Sequence, residues 1–500
     1  MPLFRSLFIT LLLLSNSPLF AQQKLSSQKA LEDLRQFENN LEERSSYIHI
    51  TDYDYKTAIG QLRSELKEKE EVDTRDFVSN VSKIIFKIGD RHARVKWAGV
   101  DFDTIPQDKL YFPMLLANYQ NKLIALKKND RKYDLYNADF PYLTSINGIE
   151  MQDFLSQFAT ENIKAPYASM LTRGAEDLRK YGPLMYMNGK KVSGLIALTL
   201  SNTNGQKITL EASPRTNREK YVSIADIRRK YDDYLDDKKY YKLSSWIGKK
   251  TGYMAIPKMY SFEEEPSFKN HLFESMKTFQ HAENLIIDIR YNKGGSRDII
   301  NMLALYIVAK DQSPWVANVA YVRTDADDKK TIDGMDERYL YRYGSDKFTR
   351  KDRKAIDRFN KAFRPEKDFD FAKFSEPHYM VLKTGKKPFT GNVYILMNER
   401  CFSASSILAS AFKGLDNVKL VGVTTDGSSG RSTYFELKNS ELKYKISTMI
   451  SLQRNGKTLD GNGTQPDIKL EADLDMILGD RDTQLERLIE IINSKKDTSL

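Results

Sequence analysis

Within the 500 residues, the stretch CFSASSILASAFK at 401–413 has the residue types and spacing for nucleophilic chemistry. It follows the apolar run 393–397 after a short polar turn, and its small residues then recur at helical spacing. The pattern predicts a strand, a turn and a helix, with Ser403, Ala404 and Ser405 at the mouth of the turn. Backbone N–H groups in the first turn of a helix have no intrahelical acceptor and carry the positive end of its dipole, so an oxyanion formed there would be stabilised. Serines at such a place also cap helices, and an isolated Ser-Ala-Ser is more often only that. Ser405 and Ser406 read as residues facing the helix and its cap, and Cys401, before the turn, as a small buried one.

Three more stretches bear on the same chemistry. At 285–296, LIIDIRYNKGGS runs an apolar strand into a glycine pair, Gly294-Gly295. Such a pair lets backbone approach a ligand and leaves an N–H to give, although most glycine pairs are only tight turns. At 460–467, DGNGTQPD is a loop of turn formers with two carboxylates, and it lacks the extended acidic spacing of a calcium loop. At 89–93, GDRHA closes a helical pattern: Gly89 suits the helix end and His92 falls in the turn beyond it. Of the five histidines, His49, His271, His281 and His378 lie outside any such motif and read as surface or packing residues. No pair of His or Cys shows ligand spacing, so neither a metal nor a cofactor is expected.

The elements that must position these residues follow from hydrophobic periodicity. Leu31, Leu34, Phe37 and Leu41, then Phe77, Val81, Ile84, Ile85 and Ile88, fall three or four apart and predict an N-terminal helical domain over 22–98. Short strands with turns at Asn147-Gly148 and Asn204-Gly205 predict a β-rich domain over 99–213. A charged, tyrosine-rich connector covers 214–241. From 242 to 479 apolar strands alternate with helices, the mark of an α/β core, with 433–437 and 444–452 as a pairing couple. The charged stretch 325–373 reads as a surface insertion, and 480–500 as a packing helix with a tail.

The N-terminal segment predicts export. Arg5, an apolar centre at 7–14 and the small exit Leu19-Phe20-Ala21 form a secretory signal over 1–21, so the mature chain is expected in the periplasm or outside the cell. No later segment is long and apolar enough to span a bilayer, and stable membrane insertion after cleavage is not expected. Loss of Arg5 leaves a formal charge of +9, with Lys and Arg scattered among Asp and Glu, which reads as a solvated surface and not as a nucleic-acid site. A single cysteine excludes an intrachain disulfide.

Taken together, GDRHA, TGYMAIP, NLIIDIRYNKGG, GNVYILMN, SASSILASAFK, VKLVGVTTDG and DGNGTQPD resemble, in order, the carboxy-terminal-processing (tail-specific) serine peptidases. That resemblance implies a crotonase-like peptidase core preceded by helices and a PDZ-like domain, whose counterpart here is LTSINGIEMQDF at 143–154. It also implies a polypeptide substrate, a nucleophile at Ser403 and an oxyanion hole from Gly294 or Gly295 with the N–H of Ala404. One branch of the family carries a lysine base 25 residues after the nucleophile, where this chain has Ser428. A serine cannot take that proton at neutral pH. The other branch, typified by the tricorn protease core, uses a histidine and an acid, which implies His92 and Asp460.

Imidazole suits the task, since its ordinary pKa of about 6.5 lets it take and return a proton near neutrality. Asp90, two residues before His92, is a rival orienter, with Asp460 preferred. Ser428 and Ser429 read as turn formers. The expected activity is that of a secreted serine endopeptidase using Ser403, His92 and Asp460, with domain closure bringing His92 to the nucleophile. The alternative is a catalytically inactive member that binds peptides. A crotonase-type acyl-CoA enzyme is disfavoured by export.

Overall fold

A computed structural model describes residues 24–97, 109–157, 165–192, 194–324, 335–370 and 372–494. The signal segment 1–21 lies outside them. The centre of the molecule is a six-stranded sheet in the order Ser244–Ile247, Thr251–Ala255, Asn284–Asp288, Asn392–Met397, Val418–Gly422 and Ile468–Lys469. Its first pair is antiparallel and every later pair parallel. Parallel strands need long crossovers, which the helices Pro266–Thr278, Asp298–Ile307 and Ala404–Phe412 supply. NLIID at 284–288 is buried at every residue, as the unbroken apolar run requires. The three helices and the C-terminal helix Thr483–Ser494 share one buried cluster with these strands.

The expected strand over 444–452 is two strands that serve different sheets. Leu442–Ser447 pairs with Ser432–Glu436 on one side and Arg94–Trp97 on the other. Met449–Leu452 instead joins Trp315–Val322 in a four-stranded antiparallel sheet. The switch falls at Ser447 and Thr448: Asp90 accepts from the Ser447 N–H, while Thr448 serves both sheets, its N–H donating to Arg431 O and its O accepting from the Arg323 N–H.

Three N-terminal helices, Ser27–Arg44, Tyr55–Lys67 and Thr74–Lys87, are capped by Ser26, Asp54 and Asp73. Their inner faces do not close on themselves. Phe37, Leu41, Ile59 and Phe77 lie in one cluster with Tyr444, Ile446 and Ile450 of the later strands. The charged insertion contributes to the same cluster: helix Arg350–Ala362 buries Ala355 and Ile356 there. It is therefore more than a surface elaboration. Its amphipathic pattern was masked by high charge, because eight of the thirteen helix residues are charged and only one narrow stripe turns inward.

In the middle region a sheet runs Lys207–Ala212, Ile196–Ser201, Tyr142–Ile146, Lys122–Asn129 and Leu115–Tyr119, with two short strands at its side. All its pairings are antiparallel. The helix Tyr167–Leu178 follows, its Leu171 and Leu178 buried in the cluster that this sheet forms. Among the described residues no helix is long and apolar enough to cross a membrane.

Candidate active site

Ser403 stands between the end of Asn392–Met397 and the first residue of helix Ala404–Phe412. Its backbone is held at φ 57° and ψ −126°, a conformation that costs a side-chain-bearing residue about 1–3 kcal/mol. The surrounding packing holds it there. The helix behind is buried at all nine positions, Phe402 N–H donates to Asn292 O at 3.0 Å, and Ser405 Oγ donates to the same carbonyl at 2.6 Å. Ser406 Oγ donates to Cys401 O at 2.7 Å. Both serines thus brace the turn, and only Ser403 stays half-exposed. Burial pushes the Cys401 thiol far up, and its Sγ points at Ile289 O, 3.1 Å away.

The glycine pair lies against this turn. A Cβ placed on Gly294 would meet Ser403 Cβ and Phe402 O at 2.6 Å, so no other residue fits. The Gly294 N–H is already donated to Asn292 Oδ1 at 2.8 Å. The N–H groups of Gly295 and Ala404 make no backbone or side-chain hydrogen bond among the described residues. Asn292 is a site residue that sequence reasoning passed over. It is wholly buried, and its amide nitrogen also donates to Ile256 O at 2.8 Å. Only its place before the glycine pair could have marked it.

His92 reaches Ser403 from 311 positions earlier: its Nε2 is 3.3 Å from Ser403 Oγ. Its ring stacks on Phe402 with centroids 5.0 Å apart. Two features fix its backbone. Asp90 Oδ1 accepts from the His92 and Ala93 N–H groups at 2.9 and 3.1 Å, and the strand Arg94–Trp97 that follows is zipped to Leu442–Ser447. Asp90 also accepts from Ser447 Oγ at 2.7 Å. It therefore shapes the turn and does not meet the ring. No closure motion is needed, because the helices and the later strands share one core and His92 already stands at Ser403.

Asp460 is nearby, yet its contact with the imidazole is indirect. His92 Nδ1 is 2.6 Å from Ser428 Oγ, and Ser428 Oγ is 3.5 Å from Asp460 Oδ1. Asp460 Oδ1 also accepts from the Arg91 N–H, and its Oδ2 from the Ser429 N–H, each at 3.1 Å. Ser428, fully buried, thus occupies the space between the two expected partners. A sequence reading takes it for a turn former because polar residues between glycines usually are. The turn comes this close because Gly427, at φ 79°, packs on Gly463: a Cβ there would lie 2.3 Å from Gly463 Cα.

Electrostatics divide the two titrating groups. Burial first, then the charges of Arg94, Lys445, Arg338 and Arg91, hold the His92 imidazolium well below the ordinary histidine range. The ring is neutral at pH 7 and able to accept a proton. Burial is also the main reason that the Asp460 carboxyl is pushed up to about 7, with Asp90 adding to the rise and the Ser429 N–H and Arg91 opposing it. Tyr47, whose buried hydroxyl has no well-formed hydrogen bond, faces the same carboxylate. Asp426 ties the surroundings together, accepting from Arg91 Nη2 at 2.9 and 3.0 Å and from Arg173 Nε at 2.6 Å. No group of three acidic, His or Cys side chains suited to a metal occurs among the described residues.

The fold has counterparts of known structure. Mature CPAF superposes with a TM-score of 0.63 at 14% identity, over 95% of this chain and 98% of that one. Mature CPAF complexed with lactacystin gives 0.61 at 15% identity, over 93% and 97%. No curated protein sequence matches the chain. Residues 250–470, which hold five of the six strands of the central sheet, the glycine pair, Ser403 and Asp460, match the model of peptidase family S41. That segment is similar to peptidase family S41, and the match supports a serine-type peptidase.

Proposed function

We propose that the protein is an exported endopeptidase in which Ser403 attacks the peptide carbonyl carbon. His92 Nε2 takes the Ser403 proton as the Oγ–C bond forms and returns it to the leaving amine. Water, deprotonated by the same nitrogen, then cleaves the acyl-enzyme ester. The N–H groups of Gly295 and Ala404 receive the oxyanion, since the Gly294 N–H is engaged by Asn292. Asp460 supplies the negative charge that favours an imidazolium in the transition state. A crotonase-like central domain, a PDZ-like middle domain and a signal peptide over 1–21 that directs the chain to the periplasm or beyond complete the reading.

The observation that carries it is the 3.3 Å separation of His92 Nε2 and Ser403 Oγ at the head of a buried helix. Labelling by a fluorophosphonate tests it. The native chain is expected to label at Ser403, Ser403→Ala to abolish the signal, and His92→Ala to slow it by about 10²-fold or more. Labelling that survives Ser403→Ala would sink the proposal. A folded native chain that neither labels nor cleaves peptide would instead fit an inactive peptide-binding member.

A further inference from the structure

Ser428 stands where it can decide which imidazole nitrogen carries the proton. We propose that Ser428 is a positioning residue that couples Asp460 to His92, and that the direction of its hydroxyl sets the tautomer of the catalytic ring. This rests on the proposed roles of Ser403 and His92.

The argument is one of donors and acceptors. An ionised carboxylate only accepts, so with Asp460 charged its negative field favours the Ser428 O–H pointing at Oδ1, 3.5 Å away. Its oxygen then accepts from Nδ1–H of His92 at 2.6 Å. That leaves Nε2 with a lone pair facing Ser403 Oγ at 3.3 Å, the form a general base requires. When Asp460 is protonated it can donate to Ser428 Oγ. The Ser428 hydroxyl is then free to turn toward Nδ1, which places the ring proton on Nε2 and removes the base. A group buried in the middle thus transmits a charge change over two hydrogen bonds without moving any backbone.

The charged groups around the relay are consistent with this sense. Asp460 is faced by Tyr47, Asp90 and the Arg91 N–H, and His92 by Arg94, Lys445, Arg338 and Arg91. Those cations disfavour an imidazolium, so the change in His92 on mild acidification is an exchange of tautomers between neutral forms. Asp90 cannot substitute for the relay, since its carboxylate is spent on the His92, Ala93 and Ser447 N–H groups and the Ser447 hydroxyl.

The test uses the full chain with 15N-labelled histidine, the His92 signals being assigned by their loss in His92→Gln. With five histidines in the sequence the spectrum is simple. At pH 8 the native protein is expected to show Nδ1–H with an unprotonated Nε2, and to pass to Nε2–H as the pH falls through about 7. Ser428→Ala is expected to lose Nδ1–H at pH 8 and to lower kcat by about 10²-fold with little change in KM. Ser428→Thr, which keeps a hydroxyl, should restore the tautomer. A native protein with Nε2–H at pH 8 overturns the proposal, even if Ser428→Ala fails to fold. So does a folded Ser428→Ala that keeps the native tautomer and pH profile, whatever its activity. Loss of the peptidase reading itself would appear separately, as failure of Ser403 to label.

Discussion

Asp460 is the residue at which function and stability pull apart. Its carboxyl is raised from 3.8 to about 7 by burial, so the folded state binds a proton that the unfolded state releases. The stability this group contributes is fully present below pH 3.8 and is lost as the pH rises through 7. Above pH 7 the ionised form costs about 4 kcal/mol relative to an unperturbed carboxyl. Asp460→Asn is therefore expected to raise the melting temperature at pH 8 much more than at pH 4. The same substitution removes the charge that orders the relay, so peptidase activity at pH 8 should fall and its rise near pH 7 should vanish. Since His92 is already neutral well below that pH, a native acid limb centred near 5 would refute the assignment of the limb to Asp460. That Ser403, His92 and Asp460 lie near one another was legible in the sequence because each lies in a short motif of unusual composition. Ser428 and Asn292 were not. Their importance comes from what they touch across tens or hundreds of positions, and a buried hydroxyl between glycines looks like any turn.

At the scale of elements, the loop that carries Asp460 is held by the charged insertion. Glu366 accepts from the Thr458 N–H at 2.6 Å, its N–H donates to Gly456 O at 2.9 Å, and Asn462 Nδ2 lies 3.4 Å from its Oε1. The insertion therefore fastens both sides of the acid loop. Glu366→Ala leaves the Thr458 N–H without this acceptor, which should cost about 1–3 kcal/mol of stability. It should also lower kcat more than KM, because the loop that presents Asp460 loses its clamp. An unchanged kcat in the folded variant would show that Asp460 is held by its Arg91 and Ser429 contacts alone. Strands with long apolar runs, such as 284–288 and 392–397, were readable from their pattern. The split of 444–452 was not, since nothing in its alternation reveals that Asp90 claims the Ser447 N–H and turns the chain into a second sheet.

At the scale of the molecule, Asp426 joins three stretches that the sequence presents as separate domains. Arg91 comes from the end of the N-terminal helices, Arg173 from the helix Tyr167–Leu178 of the middle region, and Asp426 from the turn before Ser428. Burial would raise the Asp426 carboxyl, but Arg91 and Arg173 hold it below the usual range. Removing the charge takes the carboxylate away from two guanidiniums, and breaking a buried pair in this way costs about 3–5 kcal/mol. Asp426→Asn should therefore lower global stability by that order. The shared apolar cluster of helices and strands adds a second expectation: the N-terminal helices cannot carry His92 away from Ser403 as a unit without unpacking Phe37 from Tyr444, whose rings meet at 5.6 Å. Thermal loss of fluorophosphonate labelling in Asp426→Asn should then coincide with loss of helical circular dichroism. Labelling lost in an earlier, separate transition would mean that the N-terminal helices detach as a unit, and that the peptidase site is assembled by docking and not by the fold.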